Sequence, residues 1–121
     1  MLIRSLGNCE EFVAGDGSLL RELLHPEKAA LEIRYSLAHA TVPPGQATRP
    51  HQLTSAEVYH IISGFGTVFI DDECEPVAPG STVYIPPGAT QCIENTGDND
   101  LVFLCIVDPA WQPEDEVVFA D

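Results

Sequence analysis

A chain of 121 residues has the length of one ordinary domain, and its hydrophobic fraction of 45% is enough for one core. Nineteen acidic residues against five basic ones give a net charge of −14, which repels phosphate backbones and anionic membranes. No apolar run approaches the roughly 18 residues of a membrane span, so nucleic acid and membranes are excluded as expected partners.

The cysteines and the first residues predict a compartment. The four cysteines show no CxxC pairing, and residues 1–10 contain no apolar stretch long enough for a signal peptide. Reduced thiols in the cytoplasm are the expectation for such a chain.

The first patterned segment, Ser18–Leu24, is ambiguous. Its four leucines fall on one helical face, and Ser18 is a possible N-cap, so the local pattern favours a helix. The segment is short, however, and Pro26 follows almost at once. Isolated helices of this length are marginal. We predict a strand here, on the family resemblance described below.

From Ala30 onward, turn signals recur at short intervals, supplied by many of the ten prolines and nine glycines. Several short β-rich segments at such spacing predict an all-β sandwich or barrel. The predicted strands are Leu31–Val42, Glu57–Ile62, Thr67–Ile70, Thr82–Ile85, Thr90–Ile93 and Leu101–Val107. The acidic residues at 71–75 and 114–116 are interpreted as a solvated turn and a solvated chain end.

The stretch Gly45–Gly64 holds a histidine and a glutamate that can face one interior. Side chains on a strand alternate between its two faces, so His51 and Leu53 share a face. Glu57 and Tyr59 share a face for the same reason. If Glu57 pairs across from His51, an imidazole and a carboxylate converge inside a barrel.

This stretch resembles the first motif of the cupin superfamily, which runs Gly, five residues, His-x-His, three or four residues, Glu, six residues, Gly. The positions in register are Gly45, His51, Glu57 and Gly64. Residues 80–95 resemble the second motif, which runs Gly, five residues, Pro-x-Gly, two residues, His, three residues, Asn. Its positions in register are Gly80, Pro86, Gly88 and Asn95.

The resemblance implies a fold. We expect one small cupin domain of the cupin 2 type over residues 1–121, an all-β jelly-roll barrel (double-stranded β-helix) with an acidic C-terminal tail at 109–121. Family members usually add leading strands before the first motif, and this implies the strand at Ser18–Leu24. The motif glycines form tight turns between barrel strands.

The resemblance also implies a metal site with a reduced ligand set. Leu53 stands at the family's second motif-one histidine and Gln91 at its motif-two histidine. His51, Glu57 and Gln91 remain as expected ligands, because a glutamine can bind a cation through its carbonyl oxygen. Such a set predicts a divalent ion, with Mn, Fe, Ni and Zn as candidates. The alternative is a polar cluster that holds no ion.

Tyr59 and Leu53 are the other side chains expected in the pocket. The Tyr59 hydroxyl is the candidate catalytic group, as a pocket donor or a proton carrier. More often such a tyrosine only packs, with its hydroxyl bound to a neighbour. Leu53 makes one wall apolar, which predicts a partly hydrophobic ligand.

Three functions fit this expectation of a small-molecule-binding cupin. One is a metal-dependent enzyme, such as an oxygenase, isomerase or lyase, acting on a small organic acid. The second is a non-catalytic metabolite-binding or sensing module, and the third is a metal-free isomerase or epimerase. The fold alone does not decide whether the protein is an enzyme.

A homodimer is expected as well. A barrel of this size leaves an edge strand and outer sheet faces that a symmetric partner commonly covers. The candidates for that contact, on the family's pattern of exchanged leading strands, are Leu19, Leu20, Leu23 and Leu24.

Overall fold

The computed structural model describes residues 1–120, which form two antiparallel sheets around one core. The strands of the first sheet are β1 (Glu11–Val13), β2 (Leu19–Leu24), β3 (Ser36–Val42), β5 (Ala56–Ser63), β8 (Thr82–Ile85) and β10 (Leu101–Asp108). Those of the second are β4 (His51–Leu53), β6 (Gly66–Ile70), β7 (Glu73–Val77), β9 (Gln91–Asn95) and β11 (Glu116–Val118). The sheet orders are β1-β2-β3-β10-β5-β8 and β11-β4-β9-β6-β7.

The prediction of an all-β barrel is confirmed. Within residues 1–120 the only helical elements are 3-10 turns at Leu6–Asn8 and Pro113–Asp115. None of the helices in this part of the chain has the length and apolar character needed to span a membrane.

The alternation of side chains along the strands builds the core. In β10, every second residue from Leu101 to Val107 is buried, and the residues between them are partly exposed. Phe103, at the centre of β10, is 1% exposed and packs against Tyr59 with a ring-centroid separation of 4.6 Å. Ile93 of the second sheet joins the same cluster, so the core lies between the two sheets.

The ambiguous segment forms a strand as predicted, β2, which covers Leu19–Leu24 and leaves Ser18 just before it. It pairs antiparallel with β1 and with β3, and its register shifts between Glu22 and Leu24. Pairing on both sides gives this backbone hydrogen-bond partners that a helix of under two turns lacks, so it outweighs the helical leucine pattern. Leu20 packs against the core of its own chain. The homodimer contact through these leucines stays a prediction.

The two acidic segments follow the prediction only in part: Asp71 and Asp72 form an exposed turn as predicted, and Glu73 begins strand β7. β7 is an edge strand that exposes its charges and Pro76, as is common where a sheet edge must avoid further pairing. β11 pairs with β4 of the same chain, so the interpretation as a solvated chain end is wrong for Glu116, whereas Glu114 is exposed in the 3-10 turn before β11. Residues 31–35, predicted as the start of a strand, lie outside β3.

Gly64, which follows β5, is required by both its backbone and its surroundings. Its φ of +87° favours glycine, and a Cβ there would lie 2.5 Å from the carbonyl oxygen of Asp100. Gly80 has a similar φ of +91° but has no atom within 4 Å of such a Cβ. Both glycines have a backbone that strains other residues, but only at Gly64 would a side chain also collide with a neighbouring backbone. Comparing them separates these two effects.

Replacing each of these glycines with alanine should give different losses of stability. Gly80→Ala should lower the free energy of unfolding by about 1 kcal/mol, the strain of a left-handed residue. Gly64→Ala adds a backbone clash and should lower it by about 3 kcal/mol or more. Urea unfolding of both variants measures the difference, and equal losses would contradict the tight contact between Gly64 and Asp100.

Candidate functional site

A cavity of about 180 Å³ lies between the two sheets, at the end where β1, β2 and β11 meet the barrel. Its walls are largely apolar and come from Phe12, Leu20, Ala38, Ala40, Leu53, Phe103, Val107 and Trp111. Its polar surface comes from a few side chains that converge from different strands and turns, with Asp16, His51, Glu57 and Glu116 among them.

His51 enters the cavity from β4 with a defined orientation. Its ring is 2% exposed, and its Nδ1 atom lies 2.8 Å from the backbone carbonyl oxygen of Arg49. A carbonyl oxygen can only accept, so Nδ1 carries the proton and donates it. Nε2 is therefore the free ring nitrogen. It lies 3.8 Å from Asp16 Oδ2, which is longer than a hydrogen bond.

Glu57 reaches the same cavity from β5. The two side chains converge as predicted, but His51 and Glu57 do not pair across from each other. β4 belongs to the second sheet and β5 to the first, so the imidazole and the carboxyl group approach across the interior. In the ladders, His51 lies opposite Gln91, and Glu57 lies opposite Ile85.

The Glu57 carboxyl group is buried and incompletely bonded. The residue is 6% exposed, and Oε1 has no hydrogen-bond partner among residues 1–120. Burial raises the pKa of Glu57 to about 8, and repulsion from the carboxylates of Asp16 and Glu116 adds to that rise. A hydrogen bond from the Gln91 amide acts in the opposite direction. At neutral pH this carboxyl group is therefore held mainly in its protonated form.

Gln91 and Tyr59 form a hydrogen-bonded pair behind Glu57. The Tyr59 hydroxyl donates to Gln91 Oε1 at 2.9 Å, which leaves the Gln91 amide nitrogen to donate to Glu57. Burial raises the pKa of the Tyr59 hydroxyl well above its usual value. The Tyr59 ring lines the cavity, whereas Gln91 does not reach its surface. The catalytic role of Tyr59 stays a prediction. Because the Tyr59 hydroxyl already donates to Gln91, this arrangement does not favour that role.

The predicted metal ligands do not form a complete coordination set. His51 Nε2 and Glu57 Oε1 are free, but the carbonyl oxygen of Gln91 already accepts from Tyr59. Leu53 presents only carbon to the cavity. In the described part of the chain, no group of three or more His, Cys, Asp and Glu side chains is arranged to hold a metal ion. These side chains do not fit a resident divalent metal, and that cofactor stays a prediction.

Asp16 is a site residue that the sequence analysis missed. It lies in the turn between β1 and β2, where its Oδ1 accepts from the backbone N–H of Ser18 at 3.0 Å and from the Ser18 hydroxyl at 2.7 Å. The backbone N–H of Arg49 donates to the Asp16 carbonyl oxygen at 2.7 Å and holds this turn beside β4. The sequence Asp16-Gly-Ser indicates a turn, but not where the free Oδ2 points.

Glu116 is the second missed residue. It stands opposite Leu53 in the β11–β4 ladder, half-buried at the cavity. Burial raises the pKa of Glu116, whereas the charge of His51 and a hydrogen bond from Trp111 lower it. The sequence offered no signal for this position, because acidic residues near a chain end are ordinarily solvated.

The comparisons with known proteins agree with this architecture. The model of the cupin domain family (Cupin_2) matches residues 38–107. An uncharacterized protein of Methanocaldococcus jannaschii is 42% identical over 105 residues, which cover 86% of this chain and 83% of that protein. The oxalate-binding protein of Thermotoga maritima is 32% identical over 90 residues, which cover 74% and 69% of the two chains.

One solved structure has a similar fold, and one longer relative matches this chain over part of its length. The crystal structure of a predicted oxalate decarboxylase from Thermotoga maritima has a TM-score of 0.77 and 26% identity, and the match covers 90% of this chain and 99% of that one. The mannose-1-phosphate guanylyltransferase of Escherichia coli is 34% identical over 91 residues. This chain spans only 19% of the length of that enzyme.

The raised pKa of Glu57 predicts how stability depends on pH. The folded state keeps a proton that the unfolded chain, with a pKa of 4.5, releases, so this stabilisation is present below pH 4.5 and is lost as the pH rises to about 8. Glu57→Gln should remove this dependence. At about 1.4 kcal/mol per pKa unit, the pH-dependent difference in unfolding free energy between the two proteins should sum to roughly 5 kcal/mol over this range.

Urea unfolding of chelator-treated protein at a series of pH values measures this effect. Glu94→Gln is the matched control, because it makes the same replacement of a carboxyl group by an amide at an exposed position on β9. Its pH profile should follow that of the native protein. A Glu57→Gln profile that also follows the native one would contradict the burial of an unpaired carboxyl group.

Proposed function

The chain belongs to the cupin domain family, and we propose that its barrel binds a small organic molecule in the cavity between the sheets. The observation that carries this proposal is the Glu57 carboxyl group: Glu57 lines the cavity, and its buried Oε1 atom has no partner among residues 1–120. Buried polar atoms in folded proteins are nearly always satisfied by protein, water or ligand. A ligand in this cavity would complete that bonding.

The shape and lining of the cavity support a ligand with an apolar body. An apolar cavity of about 150 Å³ accommodates one benzene molecule, and this cavity measures about 180 Å³. It has room for a ring or branched chain with one polar group attached. Leu53 and Phe103 would contact the body, and the polar group would meet His51 and Glu57. A largely apolar pocket with a few convergent polar groups is typical of small-molecule sites.

The identity of the polar group is constrained by charge. One relative is named as an oxalate-binding protein, and oxalate carries two negative charges. In this chain, the carboxylates of Asp16 and Glu116 line the cavity beside the mainly protonated Glu57. An anion would be repelled there unless a cation lay between them. The metal-dependent enzyme acting on an organic acid therefore stays a prediction, which requires a metal that the side chains do not readily hold.

The free groups also bear on catalysis without a metal. His51 Nε2 can accept a proton and the protonated Glu57 can donate one, which are the two roles that an isomerase needs. Those same groups serve equally to orient a ligand that is bound and released unchanged. We favour binding, because apolar walls and hydrogen-bonding groups are sufficient for it. The metal-free isomerase stays the alternative.

Binding can be followed through the single tryptophan, Trp111, which lines the cavity. Benzyl alcohol, a neutral probe with an aromatic body, should quench or shift its fluorescence saturably, with a dissociation constant of roughly millimolar. Ala38→Phe places a ring in the cavity and should weaken binding about tenfold or more. Thr41→Phe, on the outward face of the same strand β3, should bind as the native protein does.

Circular dichroism and thermal melting establish that both variants are folded. A native protein without saturable binding would argue against a ligand cavity. So would an Ala38→Phe variant that folds and binds as tightly as the native chain, because the probe would then lie elsewhere.

A further inference from the structure

We propose that the ligand of this cavity is an organic cation, a primary ammonium group carried on a short apolar or aromatic body. The inference rests on the proposed function, because it names the chemical class of the ligand that the same cavity would take. It is carried by the charges on the cavity wall, the hydrogen-bonding capacity of the free atoms and the aromatic rings around them.

The cavity wall carries an excess of negative groups. Its acidic residues are Asp16, Glu22, Glu57 and Glu116, and its basic side chains are His51 and Lys28. Lys28 Nζ lies 2.6 Å from Glu22 Oε1, so these two charges neutralise each other at the rim. The remaining three carboxyl groups share only the imidazole of His51. An added positive charge is therefore favoured at this end of the cavity, and an added negative charge is opposed.

The free atoms at this end can accept hydrogen bonds. Glu57 Oε1 has no partner among the described residues. Asp16 Oδ1 is used by Ser18, which leaves Oδ2 directed toward His51 at a distance beyond hydrogen bonding. An ammonium group has three N–H donors and no acceptor. It can donate to the oxygens of Glu57 and Asp16 that lack a hydrogen bond, and its charge favours the ionised form of the buried Glu57 carboxyl group.

These acceptors are held by the backbone. The turn that carries Asp16 is bound through the N–H of Arg49 to the segment just before β4. Glu116 is placed by the pairing of β11 with β4, and Trp111 donates a hydrogen bond to its carboxyl group. The acidic groups therefore stay close together although they repel one another. Such an arrangement is stabilised by a bound cation.

Aromatic rings surround the same space. Four of them line the cavity, and they are Phe12, Tyr59, Phe103 and Trp111. The faces of aromatic rings attract cations, and the attraction grows where water is excluded. The rings also favour an apolar ligand body over a fully hydrated ion. Together with the incomplete metal-ligand set, this favours an organic cation over a divalent metal ion.

Three probes of nearly equal size and different charge test the inference: benzylammonium, benzyl alcohol and benzoate. The full chain, treated with a chelator, is titrated at about pH 8, where a primary ammonium group keeps its charge. Trp111 fluorescence reports binding. We expect benzylammonium to bind at least about tenfold more tightly than benzyl alcohol, the factor that corresponds to about 1.4 kcal/mol. Benzoate should bind most weakly.

Charge-removing variants locate the preference. Asp16→Asn and Glu116→Gln should each reduce the ratio of benzylammonium to benzyl alcohol affinity by about threefold or more, while the affinity for benzyl alcohol changes little. Using two variants protects the test against a loss of folding in either one. Glu94→Gln, which removes an exposed charge from β9, should leave the ratio unchanged.

The outcomes separate the inference from the function on which it rests. If benzyl alcohol or benzoate binds as tightly as benzylammonium, the ligand class is wrong and the binding cavity stands. If none of the three binds at millimolar concentration, both are wrong. A repeat with Mn²⁺ or Zn²⁺ added should not raise the affinity for benzoate. An increase would overturn the inference in favour of a metal centre that holds anions.

Discussion

Glu57 places a carboxyl group between two apolar sheets, and the polar end of the cavity is organised around it. A buried carboxylate without a counter-charge is costly. The Gln91 amide, itself fixed by the Tyr59 hydroxyl, gives it one hydrogen bond. That bond does not offset the loss of water, because the pKa of Glu57 is still raised to about 8. The site is therefore poised for a ligand that supplies positive charge or hydrogen-bond donors.

Segments outside the two motifs set the charge at this end of the cavity. The motif strands contribute His51 and Glu57, which would serve many chemistries on this scaffold. The β1–β2 turn adds Asp16, and the C-terminal strand β11 adds Glu116. Asp16 is held by a backbone hydrogen bond from Arg49, just before β4, and Glu116 by the pairing of β11 with β4. Their carboxyl groups are therefore held in place at this end of the cavity. The same barrel with neutral residues at these two positions would have a different preference.

The strands and the residues that face inward were predictable because they depend on the order of residues within each short segment. Strand alternation, together with the family resemblance, predicted His51, Glu57 and Gln91 in the interior, where all three are buried. Local order does not determine which strands pair. His51 and Glu57 therefore proved to lie on opposite sheets and not across one ladder. The roles of Asp16 and Glu116 depend on contacts far along the chain, and nothing in their neighbouring residues distinguishes them from solvated acids.

The most direct test of this account is a pH titration of the Glu57 carboxyl carbon by nuclear magnetic resonance, assigned through the Glu57→Gln variant. In the ligand-free, metal-free protein the account predicts a pKa near 8, the consequence of burial without a counter-charge. Saturation with benzylammonium should lower that pKa, because a bound cation favours the ionised form. A pKa near the ordinary value of 4.5 in the free protein would contradict the account, since the carboxyl group would then be solvated or already paired.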